Sequence, residues 1–208
     1  MPKKKYYAVR SECINEIYES WDACKAAVTG VKGVKYKSFT DYDEALRFLS
    51  GEESRQAQIL PEKGSVIAYV DGSYEDSIKK YAFGCVLITQ DAGIVRYSGN
   101  GDNPASLAIR NVAGEMIGAM FAVKWAALKS YQEIEIRYDY EGIEKWVSGA
   151  WKAKMELTAK YAAYMRNMSK KIKIKFCKVT AHSNNQYNDE ADALAKDALV
   201  NGNGIPEI

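Results

Sequence analysis

The sequence predicts an α/β fold in which helices flank a mixed five-stranded sheet, preceded by a small α/β unit. Three observations lead to this prediction. Five runs with the composition of strands occur after residue 64. The first three follow one another closely, as hairpin strands do, and the last two alternate with helical patterns, as in strand–helix–strand units. A polar segment without a clean period separates these runs from the first 50 residues.

The first unit, residues 1–50, is predicted to contain two strands and two short helices. The strands lie at 6–10 and 35–39 and the helices at 20–28 and 41–49. A unit of this size has a marginal core of its own. Residues 51–64 are polar and carry glycine and proline at their ends, so they are predicted to be a linker.

The second unit, residues 65–200, is predicted to hold the five-stranded sheet, and residues 201–208 to form a tail. The run at 65–71 is mostly apolar and the run at 133–139 alternates, and both patterns are typical of strands. The other predicted elements are strands at 81–90, 93–99 and 171–179, and helices at 108–129, at 141–168 with a break near Gly149, and at 188–200.

Composition excludes several classes of protein. Of the 208 residues, 47% are hydrophobic and 27% are charged, as in soluble globular proteins, and no run of eighteen apolar residues predicts a transmembrane helix. No apolar signal-peptide core follows the N-terminal lysines. Four widely spaced cysteines and a single histidine argue against a zinc site and a disulfide framework. We expect a cytoplasmic monomer with no membrane attachment and no evident protein partner.

The formal net charge of +2 is not spread evenly along the chain. Residues 1–37 carry eight lysines and arginines against four acids, whereas residues 51–208 carry twenty of each sign. The positive excess therefore belongs to the N-terminal unit, which indicates that this end of the protein binds a polyanion.

Four carboxylates occupy positions where the pattern favours another kind of residue. Asp71 and Asp139 each follow a strand-like run, Glu115 lies in a helix that is apolar almost all round, and Asp192 opens the last amphipathic helix. A bare carboxylate in a buried helix costs several kcal/mol unless a cation neutralises it. If the four converge, metal ions must lie between them, and this arrangement is typical of metal-assisted phosphoryl transfer.

Each of these residues also has a simpler interpretation. Asp71 and Asp139 could begin turns, where aspartate is common. Glu115 could be a first-turn glutamate stabilised by the helix dipole, if its helix starts near Asn111.

Near the C-terminus, Asp192 could pair with Lys196 one helical turn later. His182, on a polar loop, could be a surface residue, or a proton shuttle beside a carboxylate cluster.

The joint occurrence of four motifs separates these interpretations. Asp-Gly-Ser follows a strand, Asn-Val-Ala-Gly-Glu opens a helix, Tyr-Asp-Tyr-Glu-Gly-Ile follows a strand, and His and Asp stand ten residues apart before the last helix. In order and spacing, residues 64–200 resemble the ribonuclease H family. The resemblance implies metal-binding roles for Asp71, Glu115, Asp139 and Asp192, a mobile auxiliary role for His182, and substrate contacts for Asn111, Gly72 and Ser73.

The N-terminal unit resembles the hybrid-binding domain that precedes many type 1 ribonucleases H. The matching segments are Tyr6-Tyr-Ala-Val-Arg10, Ser20-Trp-Asp-Ala-Cys24 and Lys35-Tyr-Lys-Ser-Phe39. Aromatic rings with interleaved lysines suit this task, because rings pack against sugars and bases while ammonium groups meet phosphates. Trp21 and Tyr36 could instead be the core of a small domain. The nucleic-acid contacts implied by the resemblance are Tyr7, Trp21, Tyr36, Lys37 and Ser38.

The resemblance implies an endonuclease that hydrolyses the RNA strand of RNA/DNA hybrids and leaves 5′-phosphate and 3′-hydroxyl ends. It implies two Mg²⁺ ions, which Mn²⁺ could replace, with Asp71 as the carboxylate that both ions share. Asp192 would complete the ion that activates water, and Glu115 and Asp139 the ion at the leaving oxygen. Contacts to successive 2′-hydroxyl groups would select RNA over DNA.

The chain departs from the family pattern in three places. Glu141 stands where many relatives carry a glutamine that reaches the RNA strand; the resemblance implies a substrate contact at this position, where a carboxylate accepts hydrogen bonds but does not donate them. Val112 replaces a second polar residue. The segment 141–168 is short for the extra basic helix that some relatives have, so the N-terminal unit could replace that helix as the anchor.

Two other classes of protein share part of this pattern. Metal-dependent DNA nucleases, junction resolvases and integrases use the same fold with carboxylate clusters, but the hybrid-binding front end disfavours them. A catalytically idle hybrid-binding module is disfavoured by the presence of all four carboxylates.

Overall fold

The computed structural model of the protein describes residues 5–11, 14–31, 33–49, 60–179 and 185–207. The chain divides into two compact units, residues 1–59 and residues 60–208.

The N-terminal unit is a three-stranded antiparallel sheet with two helices. Strand β1 is the middle strand, and the sheet order is β2-β1-β3. The small core contains Ala8, Val9, Cys24 and Ala45. Strand β2 was not predicted, because four residues are too few to show a period and only pairing with β1 makes them a strand. The elements are β1 (Tyr6–Arg10), β2 (Asn15–Tyr18), α1 (Trp21–Val28), β3 (Lys35–Phe39) and α2 (Tyr42–Leu49).

The second unit is built on a mixed five-stranded sheet of order β6-β5-β4-β7-β8. Neighbours within β6-β5-β4 are antiparallel, and β4, β7 and β8 are parallel. The predicted fold class is therefore confirmed. The elements are β4 (Ser65–Glu75), β5 (Lys80–Thr89), β6 (Ile94–Gly101), α3 (Pro104–Leu107), α4 (Asn111–Leu128), β7 (Glu133–Tyr138), α5 (Gly142–Ser148), α6 (Glu156–Met168), β8 (Lys173–Lys178) and α7 (Gln186–Asn201).

The central strand β4 is apolar because helices cover both faces of the sheet. Val66, Ala68 and Val70 join the larger core on the side of α4, whereas Ile67 and Tyr69 pack with residues of α7 on the other side. A strand buried on both faces is expected to be continuously apolar. None of the described helices combines the length and the apolar character needed to cross a membrane.

Glycines allow the two covering helices to touch the sheet backbone. A Cβ atom on Gly114 of α4 would lie 1.9 Å from the carbonyl oxygen of Ala82, and one on Gly72 would lie 2.5 Å from the amide nitrogen of Glu115. On the opposite face, a Cβ atom on Gly84 would lie 1.9 Å from the carbonyl oxygen of Ala191 in α7. Side chains at these positions would push α4 and α7 away from the sheet.

The first hairpin is longer than predicted. β4 was expected to end at Asp71 but continues to Glu75, because β5 goes on pairing with it, from Asp71 opposite Gly84 to Glu75 opposite Lys80. Pairing of β4 with β7 stops earlier, at Tyr69 opposite Arg137. Asp71 therefore lies inside the hairpin but just beyond the edge where the parallel strands meet.

A buried asparagine holds the C-terminal end of α7. The side chain of Asn100 in β6 donates to the carbonyl oxygens of Ala198 and Gly202, at 2.8 and 2.9 Å, and accepts from the amide of Gly204 at 3.0 Å. The start of the predicted tail is thus bound to an edge strand of the sheet.

Two glycines of α4 should respond in opposite ways to replacement by alanine. Gly114→Ala should destabilise the protein by about 2 kcal/mol or more, because the new methyl group overlaps the Ala82 carbonyl and overpacking costs about 1–3 kcal/mol. Gly118→Ala makes contacts no closer than 3.4 Å and should be neutral or stabilise by up to about 1 kcal/mol through helix propensity. Chemical denaturation of both variants measures the difference. Equal stability of the two would contradict the close contact at Gly114.

Candidate active site

Three of the four predicted carboxylates meet at one place. Oxygen atoms of Asp71, Glu115 and Asp139 all lie within 4.8 Å of one another, and no other such group of three His, Cys, Asp or Glu side chains occurs among the described residues. Asp71 comes from β4, Glu115 from α4, and Asp139 directly follows β7. Asp71 and Asp139 meet because each lies two residues beyond the last paired positions of the neighbouring parallel strands β4 and β7, and the glycine contact brings Glu115 over that edge.

Glu115 is a buried acid rather than a helix-end residue. Helix α4 begins at Asn111, so Glu115 lies beyond the first turn, where the helix dipole has little effect, and its exposure is only 2%. The first-turn interpretation is therefore wrong. Burial, and after it the charges of Asp139 and Asp71, raise the pKa of Glu115 to about 9. Its Oε2 atom is buried and has no hydrogen-bond partner within the described residues.

Asp71 is also destabilised as an anion. Burial and then the charge of Asp139 raise its pKa to about 7, although the amide of Gly72 donates to its Oδ1 atom at 2.6 Å and favours the charged form. Three carboxylates with an unpartnered buried oxygen fit a hard divalent cation, which binds oxygen ligands and removes the repulsion among them. The side chains therefore suit Mg²⁺ or Mn²⁺.

Asp192 lies beside this group but outside it. Its charge is one of the smaller causes of the raised pKa of Asp71. Its Oδ2 atom accepts from the ammonium of Lys196 at 2.7 Å, as the helical spacing predicted. This ammonium also lowers the pKa of Asp71, so Lys196 supplies part of the positive charge at the site.

The predicted substrate contacts and the predicted auxiliary histidine of this unit lie at three different places in the chain. Gly72 and Ser73 follow Asp71 in β4, and Asn111 is the exposed first residue of α4. His182 lies outside the described residues.

The carboxylate of Glu141 is occupied by two lysines. It accepts from Lys145 and, at 2.7 Å, from Lys178, and these hydrogen bonds lower its pKa to about 2. Sequence reasoning missed both lysines. The spacing of four residues within one helix could have indicated Lys145, but nothing local indicates Lys178, which comes from β8.

The N-terminal unit carries a row of exposed aromatic rings. The ring centroids of Tyr7 and Trp21 are 5.8 Å apart, and those of Trp21 and Tyr36 are 5.9 Å apart. Trp21 is 44% exposed and Tyr36 is 49% exposed, so the interpretation that they form the core is wrong. On the same strand as Tyr36, Lys37 lies over the ring of Phe39, and Ser38 is exposed opposite Tyr7.

Comparisons with protein families find two matches along the chain. A family model described as RNase H matches residues 63–200, and one described as Ribonuclease H1 N-terminal domain matches residues 5–49. Ribonuclease HI of Halobacterium salinarum is 31% identical over 146 residues, which are 69% of this chain and 69% of that protein. Ribonuclease H1 of Rattus norvegicus is 24% identical over 268 residues, which cover 96% of this chain and 90% of that protein.

Solved structures share the fold of the second unit. The crystal structure of RNase H1 from Halobacterium salinarum matches with a TM-score of 0.55 and 27% identity, covering 65% of this chain and 97% of that chain. LC11-RNase H1 in complex with an RNA/DNA hybrid matches with a TM-score of 0.53 and 18% identity, covering 64% of this chain and 96% of that chain. At that identity the second match supports the fold only.

Metal-free protein should lose stability as the pH rises from about 5 to 9. The ordinary pKa values of the two carboxyls are 3.8 and 4.5, and in the native protein Asp71 and Glu115 have values of about 7 and about 9. In the native state each carboxyl thus keeps its proton up to its own raised pKa, and the stability that the protonated form contributes is lost as the pH rises through that value. Thermal unfolding in EDTA across this pH range measures the loss.

Glu115→Gln is the matched variant for this measurement, because it keeps the shape of the side chain and cannot ionise. Its Tm should fall less with pH and should exceed that of the wild type at pH 9 by several degrees, since about 1 kcal/mol corresponds to about 2–4 °C in a protein of this size. Added Mg²⁺ should reduce the difference in Tm between the variant and the wild type. Parallel curves for the two proteins in EDTA would show that Glu115 does not titrate in this way.

Proposed function

Since this chain belongs to the ribonuclease H family, we propose that it hydrolyses the RNA strand of RNA/DNA hybrids at the cluster of Asp71, Glu115 and Asp139. Membership makes the protein a ribonuclease H enzyme. The proposal adds the products, which are 5′-phosphate and 3′-hydroxyl ends, and the use of divalent cations. The observation that carries it is the meeting of three carboxylates around a buried oxygen that has no partner within the described residues.

The proposed cofactor is a pair of Mg²⁺ ions held by Asp71, Glu115, Asp139 and Asp192, with Mn²⁺ as a possible substitute. When bound, the ions activate a water molecule and stabilise the leaving oxygen. The Gly72 amide holds the Asp71 carboxylate in one orientation. Asp192 can join the set when its ion pair with Lys196 opens, and that pair is exposed enough for this to cost little.

The residues around the carboxylates are proposed to bind the RNA strand. Gly72 and Ser73 continue the strand beyond Asp71, and Asn111 is exposed at the start of α4, so their polar groups can meet ribose hydroxyls. Contacts with 2′-hydroxyls distinguish RNA from DNA. His182 is proposed as the auxiliary group that accepts or donates a proton.

The aromatic row of the N-terminal unit is proposed to bind the hybrid as well. Trp21 and Tyr36 offer exposed ring faces beside the half-buried ring of Tyr7, Ser38 offers a donor on the same face of the sheet, and Lys37 offers one from the neighbouring position of β3. The net positive charge of residues 1–50 supports the same role. Cytoplasmic location and a monomeric state stay predictions from the sequence.

Replacing Asp71 by asparagine should abolish cleavage. Asp71→Asn keeps the shape of the side chain but removes an anionic ligand, and activity should fall below about 1% of wild type because a metal site supplies several kcal/mol of transition-state stabilisation. Hybrid affinity in EDTA should change little, since phosphate contacts made elsewhere persist. Cleavage of a labelled hybrid is compared with that of RNA/RNA and DNA/DNA duplexes, with and without Mg²⁺.

Asp76→Asn, in the same hairpin, is the control for Asp71→Asn. Asp76 is exposed and pairs with Lys79, so its replacement should leave cleavage near the wild-type rate. More than a few per cent of activity in Asp71→Asn would contradict the proposed site, and cleavage of all three duplexes would contradict the proposed substrate.

Trp21→Ala should weaken hybrid binding without abolishing catalysis. Loss of one stacking ring costs about 1–3 kcal/mol, which corresponds to a loss of affinity of about five-fold or more. The rate at saturating substrate should remain near the wild-type value. Tyr42→Ala is the control, because Tyr42 is 48% exposed on the same unit but belongs to helix α2 and packs edge-on against Tyr6. Equal affinities of the two variants would contradict the role of the aromatic row.

A further inference from the structure

Two lysines and a glutamate form a cluster beside the active site, here called the Lys145–Glu141–Lys178 cluster. Each oxygen of the Glu141 carboxylate accepts from one lysine: Oε1 from Lys178 at 2.7 Å and Oε2 from Lys145. The three side chains are between about one third and one half exposed. The cluster therefore faces solvent and carries one net positive charge.

The cluster lies at the same edge of the sheet as Asp139. Glu141 follows Asp139 by two residues, Lys145 is one turn into α5, and Lys178 is the last residue of β8, where it pairs with Tyr138. Three separate elements thus place their ends next to the carboxylates.

The ammonium of Lys145 is held in place by an aromatic ring. Its Nζ atom lies 4.9 Å from the centroid of the Trp151 ring, and the amide of Trp151 donates to the carbonyl oxygen of Lys145 at 2.9 Å. Trp151 in turn packs against Tyr140 and Trp146. A lysine that is oriented before binding loses less side-chain entropy when it meets a ligand.

The cluster has donors left for a ligand. An ammonium group has three N–H donors, and Glu141 accepts one from each lysine. Two oriented ammonium groups with free donors, next to the carboxylates proposed to act on a phosphodiester, suit a phosphate oxygen as a ligand.

We propose that Glu141 is a positioning residue, which holds Lys145 and Lys178 so that together they bind a backbone phosphate of the hybrid next to the scissile one. The inference rests on the proposed function. It gives Glu141 a role different from direct contact with the RNA strand. Without Glu141 the two ammonium groups would repel each other and separate.

The same chain contains a matched control at the other end of the same strands. Glu133 accepts from Lys173 at 2.8 Å and from Lys175 at 2.5 Å, so it too is a carboxylate that holds two lysines. Glu133 begins β7, five residues before Tyr138, which places this second cluster about 16 Å from the active-site edge. Changes of equal charge and chemistry can therefore be made near the site and far from it.

The experiment compares four full-length variants with the wild type: Lys178→Ala, Glu141→Gln, Lys173→Ala and Glu133→Gln. Cleavage of an RNA/DNA hybrid gives kcat and KM. Fluorescence anisotropy of a labelled hybrid in EDTA, over a series of KCl concentrations, gives affinity and its salt dependence. Lys178→Ala should raise KM several-fold while kcat stays within about two-fold of the wild-type value. It should also reduce the slope of log affinity against log salt by about 0.9, which is the value for one phosphate contact. Lys173→Ala should change neither KM nor the salt slope.

Glu141→Gln separates positioning from simple charge. It removes a negative charge and so raises the net charge of the protein by one, and electrostatics alone therefore predicts tighter binding. Loss of positioning instead predicts a KM about three-fold higher, a size expected for an exposed ion-pair arrangement. Glu133→Gln makes the same change of charge and should leave KM unchanged or lower it slightly.

Three outcomes decide the inference. A higher KM in both Lys178→Ala and Glu141→Gln, with normal distant controls, supports it. Unchanged KM and salt slope in Lys178→Ala, or tighter binding by Glu141→Gln, overturns it while leaving the proposed function intact. Absence of hybrid cleavage by the wild-type protein would instead overturn the proposed function.

Discussion

The close contact between helix α4 and the sheet backbone is the constraint on which the active site depends. Gly72 and Gly114 have no side chains, so α4 touches β4 and β5 directly and carries Glu115 over the edge where β4 and β7 separate. Gly84 allows α7 to approach the opposite face in the same way. If α4 stood further out by one methyl group, Glu115 would no longer share a site with Asp71 and Asp139.

This geometry stores electrostatic free energy. Burial and mutual repulsion raise the pKa values of Glu115 and Asp71, and one buried oxygen has no partner within the described residues. Natural proteins keep such costly arrangements where function needs them. The charge of Lys196 offsets part of the repulsion at Asp71, but its ammonium is bonded to Asp192, a carboxylate outside the group of three. A divalent cation is the ligand that offsets the rest.

Side chains of the same chemical type have different surroundings in this protein, depending on where the fold places them. Two lysine pairs, each held by one glutamate, sit at opposite ends of β7 and β8, and only one of them borders the carboxylates. In the N-terminal unit, Trp21 and Tyr36 are exposed while small residues such as Ala8 and Ala45 fill the core. That allocation leaves the large rings free to meet a ligand.

The sequence by itself determined the two units and the five main strands and marked Asp71, Glu115 and Asp139, which meet in the structure, because strand and helix periods are local and a charge in or beside an apolar run is visible without a structure. The spacing of four residues along a helix also predicted the ion pair between Asp192 and Lys196. Only the tertiary structure decided the length of the first hairpin, the short strand β2, the glycine contacts and the partner of Glu141 on β8. These depend on register and on distances between residues far apart in the chain, and no local pattern records them.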